Sequence, residues 1–275
     1  MINNNRISKM KTKNSNIDFK QKYGPYALLA GGSYGLGGAY AEALARRGIN
    51  IVLVARDKKK LDETAKRLKE QYKVDVKPLA LDLGDFEKVK THLEKLNVSI
   101  GLLVYNAAFA PIGLFETKSE EDLSAAAAVN VRTPLLLTRY LCNSMIKNKS
   151  GGIVLMSSLA GTQGSPKLAT YAATKSFNAI LAEGLWKELK GHGIDVTACV
   201  AGAIFTPGYQ QAEKVKPAPG SMTANDVAEQ TLNALGKGPI FIPGAVNKLA
   251  RFLLMRLLSR KAAVNLMVRN TGGLS

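Results

Sequence analysis

The sequence has few of the residues that build metal sites and disulfide frameworks. Its 275 residues include only two cysteines and two histidines. Cys142 and Cys199 lie far apart and form no Cys-x-x-Cys pair, which argues against a disulfide scaffold and against a cysteine metal site. His92 and His192 are too few for chemistry that needs a cluster of imidazoles. We therefore expect no metal and no disulfide, and we place both histidines at the surface.

Acidic residues are also scarce, since 21 Asp and Glu face 38 Lys and Arg, for a formal net charge of +17 at pH 7. The excess is concentrated at the two ends: residues 1–22 hold six bases against one acid, and residues 246–275 hold six bases and no acid. Such ends attract an anionic partner, such as nucleic acid, lipid headgroups or a phosphorylated substrate, or they serve only solubility. Because basic and aromatic residues are not interleaved and no nucleic-acid module is present, we expect no specific nucleic acid.

Long apolar runs are missing as well. Residues 1–22 lack the apolar core of a signal peptide and are predicted to form a basic flexible arm. No segment reaches the length of a membrane span. We therefore expect a cytoplasmic protein, and its C-terminal segment keeps a peripheral membrane contact open.

Short apolar runs alternate with longer amphipathic segments over most of the chain. The runs are "YALLA", "NIVLVAR", "DVKPLALDL", "GLLVYNAA", "GGIVLMSS", "DVTACVAG" and "PIFIP". Runs this apolar are typical of parallel strands buried on both faces. The sequence predicts one α/β domain over residues 23–245, a Rossmann-type doubly wound sheet of seven parallel strands with helices on both faces. Ligands of such a sheet bind beyond the carboxyl ends of its strands.

The stretch "GGSYGLG", after the first predicted strand, fits two different enzymes. Its Gly-x-Ser-x-Gly pattern fits the nucleophile elbow of a hydrolase, and its glycines fit a phosphate-binding turn. The elbow needs a histidine after the last strand, whereas the only late one, His192, directly precedes a strand. Chain order therefore favours the phosphate turn, with its positive helix end toward a pyrophosphate. We assign to cofactor binding the turn residues Gly31, Ser33, Tyr34, Gly35, Leu36 and Gly37.

The end of the second strand, "VLVARDKKK", indicates which cofactor is bound. An acid at this position favours NAD, and an arginine accommodates the extra phosphate of NADP. Arg56 occupies it and Asp57 follows, so the sequence favours NADP(H), with help from the lysines at 58–60. NAD(H) stays open because a shift of one residue in register would reverse the choice.

Three polar residues with characteristic spacing follow the fifth strand. Ser158 lies thirteen residues before Tyr171, and Lys175 lies four residues after it, on the same helix face. A free phenol loses its proton near pH 10, so a tyrosine acting as acid or base at neutral pH needs a nearby cation. Lowering its pKa by about 2 units requires roughly 2.7 kcal/mol, which an ammonium and a cationic nicotinamide could supply jointly.

With this set, residues 23–243 resemble the short-chain dehydrogenase/reductase family, and in particular its 3-oxoacyl reductases and hydroxysteroid dehydrogenases. The resemblance implies that Tyr171 donates a proton to a carbonyl oxygen, that Ser158 hydrogen-bonds this oxygen, and that Lys175 also holds the nicotinamide ribose. Further matches implied by the resemblance are a proton-relay asparagine, Asn130, and cofactor contacts at Asp82, Leu83, Asn106 and Thr206. Many NADP-using members carry a base at the position of Tyr34, which would leave Arg56 to hold the phosphate alone.

The resemblance implies an NADP(H)-dependent homo-oligomeric oxidoreductase that interconverts a ketone and a secondary alcohol. The loops "FAPIGLF" and "IFTPGYQQ" predict a hydrophobic pocket. A 3-oxoacyl thioester on coenzyme A or a carrier protein and a steroid-like ketone both fit it. The alternative is a non-catalytic NADPH sensor or a basic scaffold protein.

Residues 246–275 are predicted to form a basic, leucine-rich helical extension. On a helical wheel an apolar arc contains Leu253, Leu254, Leu257, Leu258 and Val264. We expect this helix to cover the substrate pocket or contact a neighbouring subunit, and an interfacial helix on a membrane is the alternative.

Overall fold

A seven-stranded parallel sheet forms the centre of the computed structural model, which describes residues 17–205 and 219–271, with side chains to residue 268. The strand order is β3-β2-β1-β4-β5-β6-β9. The strands are β1 Tyr26–Ala30, β2 Asn50–Ala55, β3 Val76–Ala80, β4 Ile100–Tyr105, β5 Gly151–Ser158, β6 Ile194–Ala201 and β9 Ile240–Phe241. The predicted doubly wound sheet is confirmed. Two short strands, β7 Ile204–Phe205 and β8 Met222–Thr223, pair separately and were not predicted, because two residues carry no detectable alternation.

Helices connect the strands and cover both faces of the sheet. The structure describes the first helix, α1, over residues 17–23. The others are α2 Gly35–Arg46, α3 Lys58–Tyr72, α4 Phe86–Leu96, α5 Glu120–Ala127, α6 Thr133–Asn148, α7 Ala169–Lys190, α8 Ala224–Ala234, α9 Ala245–Phe252 and α10 Arg260–Thr271. A π-helical turn, Ala128–Arg132, joins α5 to α6.

The core has two layers because successive strand residues point to opposite faces. Leu29 and Leu53 belong to one apolar cluster with α2, α3 and α8. Leu28 and Val52 belong to the other, with α4, α6 and α7. The strands are therefore apolar on both sides, and polar function is confined to their ends.

The strand order reverses at β1, which pairs with β2 on one side and β4 on the other. In register, Ala30 stands opposite Val54 and Tyr105. The chain turns directly after these residues, and Gly31 N donates to Val54 O over 2.8 Å. The glycine turn thus lies at the crevice where doubly wound sheets bind ligands.

The C-terminal segment consists of two helices and not of one. A π-helical turn, Leu253–Leu257, extends α9, and the chain then becomes extended at Leu258. Ser259 starts α10, since its Oγ accepts from Ala262 N over 3.2 Å. The predicted leucine arc, which assumes one continuous helix, is therefore interrupted. In the part of the chain that the structure describes, no helix has the length and apolarity to cross a bilayer.

Candidate active site

The turn after β1 has the close backbone packing that a phosphate cradle requires. Gly31 has φ +82°, and a Cβ placed there would lie 2.7 Å from Ala107 N. A Cβ on Gly37 would lie 1.8 Å from Gly31 O, so only glycine fits. Asn106, predicted as a cofactor contact, donates from Nδ2 to the same Gly31 O over 2.9 Å. Asn106 therefore stabilises the turn from the next strand.

The N-terminus of α2 adjoins this turn and receives no capping hydrogen bond from the side chain of its N-cap residue. Tyr34 occupies the N-cap position in extended conformation, its side chain makes no capping hydrogen bond, and the first turn holds no acid. The first amides of a helix seek acceptors and favour negative charge. Leu36, in the first turn of α2, packs its side chain against the core. The turn and helix end fit a pyrophosphate.

A cavity of about 610 Å³ extends from the turn across the ends of β2 and β4. Predicted cofactor residues form much of its lining, namely Gly31, Ser33, Arg56, Asp82, Leu83 and Asn106. Phe109, the first residue of the loop "FAPIGLF" that was predicted to shape the substrate pocket, also lines the cavity. This volume is typical of ligand pockets. The residues present therefore fit a dinucleotide.

Arg56 and Asp57 lie side by side at the edge of this cavity but have different partners. The Asp57 carboxylate caps α3, accepting from Lys60 N over 3.0 Å and pairing with Lys60 Nζ at 3.4 Å. These bonds lower the pKa of Asp57, the backbone bond having the largest effect. Lys60 Nζ also lies 5.4 Å from the ring centroid of Tyr34. Arg56 is exposed, and within residues 17–205 and 219–268 it makes no ion pair.

The predicted catalytic residues come together where β5 ends and α7 begins. Ser158 is the last residue of β5, and its side chain hydrogen-bonds the phenol of Tyr171. Lys175 Nζ lies 5.5 Å from the centroid of the Tyr171 ring and donates to Met156 O over 3.0 Å. The two elements are joined by Ser157 Oγ, which donates to Lys175 O over 2.7 Å. β5 and α7 thus hold Ser158, Tyr171 and Lys175 close to one another.

Burial has the largest effect on the pKa values of Tyr171 and Lys175. It raises the pKa of Tyr171, and the hydrogen bond from Ser158 opposes that rise. It lowers the pKa of Lys175 to about 8, against a weaker opposing effect of Cys199. The lowered phenol pKa that we expected from Lys175 is therefore not produced by these side chains alone. The reason is that desolvation disfavours the phenolate and the ammonium alike.

Asn130 is fully buried in the π-helical turn and acts as a clamp. Its Oδ1 accepts from Phe109 N over 2.8 Å, and its Nδ2 donates to Phe109 O over 2.7 Å. The same Nδ2 lies 3.1 Å from Thr174 Oγ1 on α7. Asn130 therefore ties the loop after β4 to the helix of Tyr171. The contacts of Asn130 with Phe109 and Thr174 could not be predicted, because they join residues that are far apart in the sequence.

The loops predicted to shape a hydrophobic pocket are described only in part. Ile112, Leu114 and Phe115 are 39–61% exposed in the loop after β4. Gly113 N donates to Lys167 O over 2.8 Å, which attaches this loop to the segment before α7. Thr206 and the rest of the second loop, to residue 211, lie outside the described residues.

The C-terminal helix α10 contacts the segment that follows β5. Arg260 Nη1 donates to Thr162 O over 3.0 Å. Val264 lies against Gly164, with Cγ2 3.5 Å from the position of a Cβ there. The extension is thus attached to the chain between Ser158 and Tyr171.

The sequence pattern of the short chain dehydrogenase family matches residues 25–216. A 7beta-hydroxysteroid dehydrogenase of Clostridium sardiniense is 27% identical over 235 residues, which cover 84% of this chain and 90% of that protein. A very-long-chain 3-oxoacyl-CoA reductase of Phaeosphaeria nodorum is 32% identical over 226 residues, covering 78% of this chain and 64% of the reductase. The chain thus spans less than two thirds of that reductase.

Solved structures show the same fold. One, from work on the stereoselectivity of 7beta-hydroxysteroid dehydrogenase, superposes with a TM-score of 0.86 at 25% identity, covering 90% of this chain and 98% of its own. A short-chain dehydrogenase from Sphingobium yanoikuyae in complex with NADPH has a TM-score of 0.71 at 31% identity, covering 80% of this chain and 87% of its own.

Proposed function

The chain belongs to the short chain dehydrogenase family of oxidoreductases, and from this premise we propose that it uses NADP(H) to interconvert a hydrophobic ketone and the corresponding secondary alcohol. The observation that carries the proposal is the juxtaposition of Ser158, Tyr171 and Lys175 at the end of β5. A glycine cradle that fits a dinucleotide lies at the end of β1 in the same sheet. When bound, the nicotinamide supplies the hydride for reduction.

Tyr171 is the proposed proton donor to the carbonyl oxygen. Its raised pKa keeps the phenol protonated at neutral pH, which is the state that reduction requires. Ser158 is placed to donate a hydrogen bond to the same oxygen. Lys175 is proposed to stabilise the phenolate that remains and to hold the nicotinamide ribose, the roles that the family resemblance implies. Asn130 positions this helix and is proposed to support a proton-relay water.

The preference for NADP(H) rests on the contrast between Arg56 and Asp57. Asp57 already caps α3, so its carboxylate is committed to Lys60 and is poorly placed to accept from a ribose hydroxyl. The Arg56 guanidinium is exposed beside the cavity and matches a phosphate. Lys60, near Tyr34, adds a second positive charge in the first turn of α3. Asp82, Leu83 and Thr206 remain proposed cofactor contacts.

The proposed substrate is a hydrophobic carbonyl compound, either a 3-oxoacyl thioester or a steroid-like ketone. The apolar loop after β4 and the names of the two relatives support this class. A panel of both compound types, followed by NADPH absorbance, tests the proposal and separates the two substrates. Oxidation of NADPH by neither would contradict it.

We also propose a homo-oligomer. A largely apolar groove between α6 and α7 is lined by Leu135, Cys142, Leu181 and Leu185, and Leu135 is 41% exposed. Such a face is suited to a symmetric contact with a second copy. Analytical ultracentrifugation measures the oligomer, and a monomer at all concentrations would contradict it.

A further inference from the structure

Helix α9 exposes large apolar side chains to solvent and turns the polar side chain of Asn247 towards the protein. Asn247 is 3% exposed, and its Nδ2 donates to Gly220 O over 3.0 Å and to Pro243 O over 2.9 Å. Six large apolar side chains of this helix and of the turn after it are 40–65% exposed. We call them the tail face: Val246, Leu249, Phe252, Leu253, Met255 and Leu257. Exposed apolar surface on this scale marks an interaction site.

The charged side chains of the tail face segment and of the helix after it are all basic. No acidic residue follows Glu229 in the sequence. Lys248, Arg256 and Lys261 are exposed, and among the described residues none of them makes an ion pair. A partner for this surface must accept both apolar side chains and positive charge.

We propose that the tail face docks on an anionic lipid surface. A second copy of this chain is disfavoured because a symmetric contact would bring like charges together. A bilayer with acidic headgroups meets both requirements, since leucine and phenylalanine enter the boundary of the acyl chains while lysine and arginine contact the headgroups. Helix α9 lies along such a surface and does not cross it.

Docking of this face would place the active-site region at the membrane. Helix α10 follows the tail face directly and is bonded to Thr162 through Arg260. Thr162 lies four residues after Ser158. A substrate dissolved in the bilayer would therefore be near the segment that joins β5 to α7. Vesicle binding requires no turnover. A failure of this proposal is therefore distinguishable from a failure of the proposed reaction.

Flotation of the full-length protein with vesicles tests the proposal. One set contains phosphatidylcholine alone, and the other contains equal parts of phosphatidylcholine and phosphatidylserine. We expect partition into the second set and release at high salt, because screening weakens the attraction of surface charges. Binding to neither set, or equal binding to both, would overturn the proposal.

Two variants separate the apolar and the electrostatic contributions. Leu249→Ser with Phe252→Ser should lower the partition coefficient about tenfold or more, since both side chains would enter the interface. Arg256→Gln with Lys261→Gln should also lower it about tenfold. All four positions are exposed, so the variants should keep the unfolding temperature of the wild type.

Matched controls remove similar groups elsewhere. Ile17→Ser takes away an exposed apolar side chain, and Lys66→Gln with Lys95→Gln removes two exposed charges. The controls should bind vesicles like the wild type. If the charge control loses binding as much as Arg256→Gln with Lys261→Gln, net charge alone is responsible and the proposal fails. It also fails if the apolar variant changes only the oligomer size, which would identify a second copy as the occupant.

Discussion

A single oxygen distinguishes Tyr171 from phenylalanine, and that oxygen is the proposed proton donor. Tyr171→Phe should lower turnover about 100-fold or more, the usual contribution of general acid catalysis, and leave the NADPH dissociation constant largely unchanged. Steady-state kinetics and NADPH titration measure the two effects. Tyr26→Phe is the matched control, because Tyr26 begins β1 at the other end of the sheet and bonds Asp75. Turnover above about a tenth of wild type in Tyr171→Phe would contradict the role.

The Arg56 guanidinium, directly after β2, is proposed to select NADP(H) over NAD(H). Arg56→Ala should weaken NADPH binding about tenfold or more, since a hydrogen bond to a charged group contributes about 1.5–3 kcal/mol, and should affect NADH little. Lys66→Ala removes an exposed charge about two turns further along α3 and serves as control. Equal losses for the two cofactors would mean that Arg56 does not contact the phosphate.

Lys175 should make stability depend on pH. Its pKa is lowered from 10.5 to about 8 by burial, so between these values the unfolded chain binds a proton that the folded protein has released. The free energy of unfolding therefore rises with pH over this window. Lys175→Met should remove that rise and make the protein about 3 kcal/mol more stable at pH 7. Urea unfolding from neutral to alkaline pH measures this, and parallel curves for the two proteins would refute it.

At the scale of elements, the π-helical turn fastens the loop after β4 to α7. Asn130→Ala leaves the backbone of Phe109 without two partners, which should reduce stability by about 2–4 kcal/mol. Asn143→Ala, at an exposed position of α6, should change stability little. Thermal unfolding of both variants provides the measurement. An unchanged melting temperature for Asn130→Ala would mean that the clamp is not structural.

Helix α10 should affect the substrate more than the cofactor. It contacts Thr162 and Gly164 in the segment before Tyr171, so ending the chain before Ser259 should raise KM for a hydrophobic ketone. The NADPH dissociation constant should change little. Ending the chain after Thr271 keeps α10 and is the control. Equal KM values for the two truncated proteins would show that α10 does not influence substrate binding.

The elements differ in how much of them the sequence could predict. Each strand of the main sheet forms an apolar run, so all seven could be located, and their parallel arrangement followed from alternation with helices. The break at Leu258 was missed because the leucine pattern continues through it, although Ser259 is a recognisable cap. The outward face of α9 could not be foreseen, since periodicity shows that a helix has an apolar side but not which side meets the protein.

For the whole molecule, the sequence predicted which groups meet but not their energetics. Ser158, Tyr171 and Lys175 come together as their spacing indicated. Spacing carries no information on burial, and burial raises the pKa of the Tyr171 phenol. Similarly, the sequence favoured Arg56 over Asp57 only by one residue of register, whereas the structure shows that the Asp57 carboxylate caps α3.

The central claim is that this molecule transfers a hydride between NADP(H) and a hydrophobic carbonyl compound with Tyr171 as acid. The most direct test follows NADPH absorbance with wild type and Tyr171→Phe on a panel of 3-oxoacyl thioesters and steroid ketones. We predict that wild type oxidises NADPH with at least one compound, faster than with NADH, and that Tyr171→Phe does so about 100-fold or more slowly. A wild type that binds NADPH but oxidises it with no compound, or a variant as fast as wild type, would contradict the claim.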